Sequence, residues 1–255
     1  MSLLSVRHLT HHFAGLRAVP GFNIELQPGE LIALIGPNGA GKTTVFNIIS
    51  GVYRPTSGQV RFDGRDIVGC RPHQIVARGI ARTFQNIRLF RNLSALDNMR
   101  IAQHGHARYS VLSSMLRLPS FRREEQRIRA RSIELLDLFG LADVAGARAG
   151  SLPYGQQRRL EMARALATAP RLLLLDEPAA GMNPAEAQEL LDRILWLRRE
   201  FDLTILLIEH QMPVVMGVAE RVIVLDFGET IAQGTVNEIR SDRRVIEAYL
   251  GADAT

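Results

Sequence analysis

A glycine-rich stretch near the start of the chain has the residue types that bind phosphate groups. It reads Gly36-Pro37-Asn38-Gly39-Ala40-Gly41-Lys42-Thr43, which matches the pattern GxxxxGK followed by Ser or Thr. The glycines let successive N–H groups point at phosphate oxygens, the lysine reaches the β- and γ-phosphates, and the threonine hydroxyl ligates Mg²⁺. With Thr44 after it, this stretch predicts a site for a magnesium-bound nucleoside triphosphate. A glycine-rich turn without a ligand is the alternative.

The lysine of this stretch is the only lysine in the chain. The other 30 of the 31 Lys and Arg residues are arginine. Arginine is a wide planar fork, whereas lysine is a compact charge on a flexible stem. Lysine at position 42 therefore indicates a narrow site that accepts one positive charge at its tip.

Two adjacent carboxylates form a second candidate site. Arg171 to Leu175 reads as a buried strand, and Asp176 and Glu177 follow it. Past the end of the strand the chain turns, so both carboxylates can approach a bound nucleotide. We expect Asp176 to hold the Mg²⁺ shell and Glu177 to polarise the attacking water. A solvated acidic turn is the alternative for this pair taken alone.

Short apolar runs predict the elements that position these groups. Leu31 to Ile35 reads as a buried strand that enters the glycine-rich loop, and Thr44 to Ile49 reads as the helix that leaves it. The start of such a helix carries a partial positive charge that favours anions. This order of strand, loop and helix is the context in which the loop pattern binds phosphates.

The order of motifs along nearly the whole chain resembles that of the ATP-binding-cassette (ABC) ATPases. The glycine-rich stretch 36–43, here called the phosphate loop, comes first. It is followed by the glutamine segment RTFQN, the LxxGQ element from Leu152 to Gln156, the strand that leads to Asp176 and Glu177, and His210 in IEHQM. The resemblance implies an α/β fold, with a P-loop NTPase core, an antiparallel β subdomain and an inserted α-helical subdomain. It also implies ATP and Mg²⁺ as cofactors and ATP hydrolysis as the activity.

The resemblance assigns roles in hydrolysis to individual residues. Gln85 matches the glutamine that contacts Mg²⁺ and the attacking water, so the expected metal contacts are Thr43, Gln85 and Asp176. His210 matches the switch histidine that contacts the γ-phosphate. Without the motif order, Gln85 would read as a polar loop residue and His210 as a hydrogen-bonded residue at a strand end. The expected catalytic residues are Glu177, His210 and Gln85.

Other matches concern the nucleotide base and the partner subunit. Phe13 lies where the family stacks an aromatic ring on adenine, with ordinary core packing as the alternative. The LxxGQ element matches the family signature, which caps the ATP held by the opposite subunit. Gly181-Met182-Asn183 lies where the family has its D-loop, with asparagine in place of the usual aspartate. The signature residues expected to bind nucleotide are Tyr154, Gly155 and Gln156.

The signature departs from the usual LSGGQ at two positions. Pro153 replaces the serine, and Tyr154 replaces the first glycine. Proline offers the γ-phosphate neither a hydroxyl nor a backbone N–H. We expect Pro153 in the first turn of a helix that Ser151 caps, and we expect Gly155, its neighbouring N–H groups and the helix dipole to form the contact.

The resemblance implies a single domain, 1–255, with a nucleotide-binding core at 1–86 and 158–240. A helical insert at 87–157 and a C-terminal tail at 241–255 complete it. Within the insert, Phe121 to Phe139 has helical spacing, and one apolar face is expected from Ile128, Ile133, Leu135, Leu136 and Phe139. Asn86 to Leu96 is expected to edge a groove for a cytoplasmic helix of a membrane subunit, with core packing as the alternative for Leu89 and Phe90.

Four segments resemble the longer of the two paralogous ATPases of bacterial branched-chain amino-acid importers: RTFQNIRLF, LPYGQQRRLEMARAL, DEPAAGMNP and VIEAYLG. This implies an ATPase that powers import of branched-chain amino acids. Related systems for urea, other amino acids or lipopolysaccharide export share parts of these segments and remain alternatives. A soluble ABC ATPase without a transport role is a further alternative. A small-molecule kinase would have no use for an LxxGQ element.

Charge and composition bear on partners and location. The net charge is +5, but basic residues are spread along the chain and the cluster from Arg122 to Arg131 is interleaved with acidic residues, so we expect no nucleic-acid partner. The single Cys70 fits a reducing compartment. No signal peptide is recognised, and the apolar runs are too short to span a bilayer. We expect a cytoplasmic protein, peripheral on the inner face of the bacterial membrane, that contacts the membrane only through permease subunits and pairs with an identical or paralogous ATPase.

Overall fold

The computed structural model describes residues 2–107, 111–116 and 118–252. The chain forms two compact units. The first comprises Met1–Gln85 and Arg171–Thr255, and the second comprises Asn86–Pro170.

The strands and helices are numbered in chain order. The strands are β1 (Leu4–Phe13), β2 (Leu16–Leu26), β3 (Leu31–Ile35), β4 (Ser57–Phe62), β5 (Arg65–Asp66), β6 (Ile80–Arg82), β7 (Leu172–Asp176), β8 (Thr204–Ile208), β9 (Arg221–Asp226) and β10 (Glu229–Gly234). The helices are α1 (Lys42–Ile49), α2 (Pro72–Ala77), α3 (Ala95–Gln103), α4 (Val111–Met115), α5 (Pro119–Leu138), α6 (Tyr154–Ala167), α7 (Pro184–Glu200), α8 (Met212–Val218), α9 (Val236–Ser241) and α10 (Arg243–Ala252).

A six-stranded sheet in the order β10-β9-β3-β8-β7-β6 runs through the first unit. All its pairings are parallel except that of β10 with β9. Every residue of β3, β7 and β8 is buried, as expected for parallel strands that are covered on both faces. The carboxyl ends of these three strands lead into the phosphate loop, the carboxylate pair and the segment of His210. The sheet therefore presents all three predicted sites at one edge.

The second sheet of this unit is antiparallel, in the order β2-β1-β4-β5. Its inward side chains share one hydrophobic core with one face of the six-stranded sheet and with α1. The members of that core include Leu4, Val6, Phe22, Ile24, Ile32, Leu34, Phe46 and Ile49. The combination of a mixed sheet and an antiparallel sheet confirms the predicted α/β class with an antiparallel β subdomain.

The opposite face of the six-stranded sheet packs against the last helices of the chain. Ala33 and Ile35 of β3 lie in this cluster together with Val215 of α8, Ile239 of α9 and Val245 of α10. Alternate residues of β3 therefore serve two different cores. The segment 241–255, which we expected to be a tail, contributes α10 to the second core.

The second unit contains the helices α3 to α6. The helix expected over Phe121 to Phe139 is present as α5, and four of its five predicted apolar residues are buried. Ile133 is wrong in that set, because its side chain is 40% exposed. The fully buried Ser132 lies on the inward face instead, where its hydroxyl donates to the carbonyl of Ile128 at 2.8 Å and accepts from Gln103.

The end of the helical insert differs from the sequence expectation. The predicted boundary between 157 and 158 falls inside α6, which is continuous from Tyr154 to Ala167. The second unit therefore continues to Pro170, where the chain returns to the first unit. Within the described residues, none of the helices has both the length and the apolar character needed to cross a membrane.

Candidate nucleotide site

The phosphate loop joins β3 to α1 in a conformation that requires glycine. Gly36 has φ 145°, and a Cβ built on it would lie 2.0 Å from the carbonyl oxygen of Leu225. Gly41 has φ 93°, and a Cβ there would lie 2.8 Å from the carbonyl oxygen of Ala18. Any side chain at these positions would both strain the backbone and collide with a neighbouring strand.

Lys42 begins α1 and is only 6% exposed. Its ammonium donates to the carbonyls of Gly36 and Pro37, both at 2.7 Å. Burial lowers the pKa of Lys42, while the negative charges of Glu177 and Asp176 oppose that shift. Gly41 precedes the helix without a side chain to cap it, so the first N–H groups of α1 suit an anion.

Asp176 ends β7 in a buried ion pair that sequence reasoning missed. Its Oδ2 accepts from Arg82 of β6 at 2.7 Å, and the two side chains are 6% and 7% exposed. The same guanidinium donates to Asn47 of α1 and to Ser50, which directly follows α1, at 2.7 and 3.0 Å. Arg82 thereby links the expected metal carboxylate to the helix that follows the phosphate loop.

The three predicted catalytic residues come together around one oxygen atom. Gln85 donates its amide N–H to Glu177 Oε2 at 2.7 Å, and His210 Nδ1 lies 3.8 Å from the same oxygen. Glu177 has the left-handed φ of 46°, which costs a residue with a side chain about 1–3 kcal/mol. Its N–H donates to the carbonyl of Ile208 at 2.9 Å, so the end of β8 helps to hold this conformation.

The expected metal contacts have the donor chemistry that Mg²⁺ prefers. Thr43 is an exposed residue of the first turn of α1, and Asp176 lies at the carboxyl end of β7. Hydroxyl, carboxylate and amide oxygens, completed by phosphate oxygens and water, suit Mg²⁺. A cluster of three or more His, Cys, Asp or Glu able to hold a metal by itself is absent from the described residues. The residues fit a magnesium ion that arrives with its nucleotide.

Phe13 belongs to an aromatic group at the end of β1. Its ring meets His11 edge-on at a centroid distance of 4.5 Å and Tyr53 edge-on at 5.5 Å. His11 and Tyr53 stack almost in parallel at 5.5 Å. Phe13 is 39% exposed, which leaves ring surface for a planar ligand.

The signature element begins α6 differently from our expectation. Pro153 is itself the N-cap residue, with φ −53° and ψ 150°, and no side chain caps the helix. Ser151 is not the cap, because its hydroxyl donates to the carbonyl of Arg148 at 2.8 Å in the preceding turn. Tyr154 and Gly155 are exposed and Gln156 is half-buried. The first turn of α6 therefore has backbone donors without a side-chain cap.

Asn183 has a local role that is compatible with its departure from the family aspartate. Its Oδ1 accepts from the N–H of Glu186 at 3.0 Å, and the Glu186 carboxylate accepts from the N–H of Asn183 at 2.9 Å. This capping box starts α7. Asparagine and aspartate cap helices about equally well, so the change preserves the helix start.

Profiles of known protein families match two stretches of the chain. A family profile described as "ABC transporter" matches residues 19–180, and one described as "Branched-chain amino acid ATP-binding cassette transporter" matches residues 229–255. The chain is 46% identical over 249 residues to the high-affinity branched-chain amino acid transport ATP-binding protein BraF of Pseudomonas aeruginosa, and the alignment covers 98% of each protein.

Solved structures resemble the chain over more than nine-tenths of its length, among them two ATP-binding cassettes. The first is the ADP conformation of MJ1267, an ATP-binding cassette of an ABC transporter, with TM-score 0.84, 30% identity and coverage of 98% of this chain and 99% of that one. The second is a dimeric post-hydrolysis state of the ATP-binding cassette MJ0796 bound to ADP and Pi, with TM-score 0.77, 25% identity and coverage of 91% and 98%.

Proposed function

The chain belongs to the ABC transporter family of ATP-binding proteins, and on that basis we propose that it hydrolyses Mg-ATP to power import of branched-chain amino acids. The observation that carries the hydrolytic part is the approach of Gln85 and His210 to one oxygen of Glu177. A general base beside a phosphate-binding loop is the arrangement that water attack on a γ-phosphate requires.

In this proposal, the nucleotide binds to the phosphate loop, to the expected metal contacts and to the ring of Phe13. Lys42 exchanges its contacts with the carbonyls of Gly36 and Pro37 for oxygens of the β- and γ-phosphates. The N–H groups of the loop and of the first turn of α1 donate to the remaining phosphate oxygens. Thr43, Gln85 and Asp176 would hold a magnesium ion, which would neutralise phosphate charge. The ring of Phe13 supports the adenine.

In the proposed hydrolysis, Glu177 and the residues around it each have one role. The Glu177 carboxylate accepts a proton from the attacking water, and the amide of Gln85 orients that water. The imidazole of His210 contacts the γ-phosphate and keeps Glu177 directed at the water. Arg82 holds Asp176 through Oδ2, which fixes the carboxylate without occupying both of its oxygens.

The working form in this proposal is a pair of cassettes arranged head to tail. The signature element of one chain, with Tyr154, Gly155 and Gln156, caps the ATP held on the phosphate loop of the other. The uncapped start of α6 supports this role, because its N–H groups and helix dipole favour a γ-phosphate. The second cassette is an identical chain or a paralogue.

Permease subunits provide the contact with the membrane in this proposal. Phe90 is 49% exposed and Leu93 is 37% exposed, so the segment from Asn86 to Leu96 offers apolar side chains to a cytoplasmic helix of a permease. The protein is thereby peripheral, on the inner face of the bacterial membrane. The branched-chain cargo is supported by the match over residues 229–255 and by the similarity to BraF.

Uptake by cells tests the cargo together with the catalytic site. The gene is deleted from its source organism, and the strain is complemented with the wild type, Glu177→Gln or the control Glu189→Gln. Glu189 is an exposed residue of α7, so its variant should preserve function. We expect uptake of labelled leucine to fall on deletion and to return with the wild type and the control only. Unchanged uptake of leucine, isoleucine and valine in the deletion strain would overturn the cargo assignment.

A further inference from the structure

Glu209 is a fully buried carboxylate that the mechanism above does not use. It lies between the end of β8 and His210, and its exposure is 0%. Its Oε1 accepts the N–H of Ala179 at 3.0 Å. Its Oε2 accepts the N–H of His210 at 3.1 Å and that of Gln211 at 3.4 Å. The two oxygens therefore bind two different segments of the chain.

Those two segments carry the groups that act in hydrolysis. Ala179 follows Glu177 by two residues, and His210 follows Glu209 directly. Gln211 also donates its side-chain amide to the carbonyl of Ala179, at 3.4 Å. Glu209 thus holds the N–H of Ala179 and Gln211 holds its carbonyl, and these two residues flank His210 in the sequence. The side chains of Glu177 and His210, which these two segments carry, lie 3.8 Å apart.

A buried carboxylate at this position has an electrostatic cost. Burial raises the pKa of Glu209, and the three backbone N–H donors only oppose that shift. A cost of this kind, located beside the reacting groups, is typical of functional residues. Glutamate is also the only side chain of this length with two equivalent acceptor oxygens, since glutamine presents one acceptor and one donor.

We propose that Glu209 is a positioning residue for hydrolysis, which sets the separation of Glu177 and His210 by holding their segments with its two oxygens. The proposal rests on the proposed roles of Glu177 and His210. It assigns Glu209 no contact with nucleotide, so it predicts an effect on turnover and not on ATP binding.

The test is the isosteric variant Glu209→Gln. The glutamine amide can be oriented in two ways, and in each its NH₂ group faces either the N–H of Ala179 or the N–H groups of His210 and Gln211. Because two donors cannot form a hydrogen bond with each other, one of these two segments is released. A displacement of about 1 Å at a reacting group can cost about a hundredfold in rate. We therefore expect kcat to fall by about 10- to 100-fold while the KM for ATP changes by less than about twofold. We expect the melting temperature to change little, because removal of the buried charge offsets the hydrogen bond that is lost.

A measurement without nucleotide complements the kinetics. Amide hydrogen exchange over residues 178–182 should become faster in Glu209→Gln, because the N–H of Ala179 loses its acceptor or its neighbours shift. The control is Glu220→Gln, since Glu220 pairs with Arg198 and accepts from Leu31 outside the catalytic segments. That variant should preserve kcat and the exchange rates of residues 178–182.

Two outcomes would overturn the inference. One is a Glu209→Gln variant with wild-type kcat. The other is a parallel fall of kcat, ATP affinity and melting temperature, which would mark Glu209 as a structural residue only. Glu177→Gln in the same assay separates this inference from the proposed function. If Glu177→Gln is inactive while Glu209→Gln is active, only the inference fails; if Glu177→Gln retains turnover, the proposed catalytic site fails.

Discussion

Among single residues, Lys42 tests the proposed phosphate-binding loop most directly. Its side chain is buried, and its ammonium donates to two loop carbonyls at 2.7 Å. An ammonium offers three rotatable donors, whereas a guanidinium imposes a planar fork. All the remaining Lys and Arg positions of the chain are arginine, so the need for a positive charge alone does not explain why residue 42 is lysine.

Lys42→Arg should therefore abolish hydrolysis although it preserves the charge. We expect kcat/KM for ATP to fall by at least about a hundredfold, the range for loss of one group that stabilises the developing charge. Steady-state phosphate release is the measurement, with Arg243→Lys as the control because Arg243 is an exposed residue of α10. Near-normal turnover of Lys42→Arg would contradict the phosphate-loop assignment.

The resemblance to the ABC ATPases predicted the groups that meet at Glu177, because the motif order matched Gln85 and His210 to residues of that family. The structure brings both to the same oxygen atom. Arg82 and Glu209 were not predicted. Their partners, Asp176 and the N–H of Ala179, are distant in sequence, and no local pattern marks such pairs. An ion pair or a backbone bridge becomes visible only when the sheet order is known.

At the level of elements, the apolar runs were the most informative part of the sequence. The runs at Leu31–Ile35 and Thr204–Ile208 coincide with β3 and β8, because a strand covered on both faces is apolar throughout. The prediction that Ile133 is buried was wrong, because an amphipathic helix is covered on only one face. Helical spacing identifies residues that lie near one face, but packing decides which of them are covered, and Ser132 takes the buried place.

The start of α6 shows the limit of local capping rules. Serine is a favoured N-cap, which made Ser151 the natural expectation. The fixed φ of Pro153, with its extended ψ, instead makes the proline the last residue before the helix. The N–H of Gln157 donates to the Pro153 carbonyl at 3.0 Å, which closes the first turn. The helix thus starts two residues later than a Ser151 cap requires.

Pro153→Ser should stabilise this helix start and strengthen the ATP-dependent pair. A serine can adopt the φ and ψ of Pro153, its hydroxyl can cap α6, and such a cap contributes about 0.5–2 kcal/mol. The same hydroxyl is the group that the usual family signature offers to the γ-phosphate. Analytical ultracentrifugation of the Glu177→Gln background with ATP measures the association, with Ser151→Ala as the control. Weaker association of Pro153→Ser would contradict this role of the signature.

On the scale of the whole molecule, the groups proposed to form the two halves of the site belong to different units. The phosphate loop, Glu177 and His210 belong to the first unit, and the signature at the start of α6 belongs to the second. The sequence predicted an inserted helical subdomain but placed its end within α6. A continuous helix has no internal marker for a domain boundary, so the return at Pro170 could be located only from the structure.

A chain that carries both halves can form two complete sites when two chains pair about a two-fold axis. In the proposed pair, ATP lies at the interface and links the subunits, so we expect association to depend on nucleotide and to reverse after hydrolysis. The similarity to the dimeric cassette MJ0796 bound to ADP and Pi supports the pairing. A paralogous partner would complete the sites in the same way.

The most direct test of the paired mechanism is the ATPase rate per subunit, measured over a dilution series of the purified protein at saturating Mg-ATP. Glu177→Gln at each concentration provides the background. The account predicts that the rate per subunit falls on dilution, in parallel with the fraction of dimer measured by ultracentrifugation. A rate per subunit that stays constant down to concentrations where only monomer is present would contradict it, because one chain would then hydrolyse ATP alone.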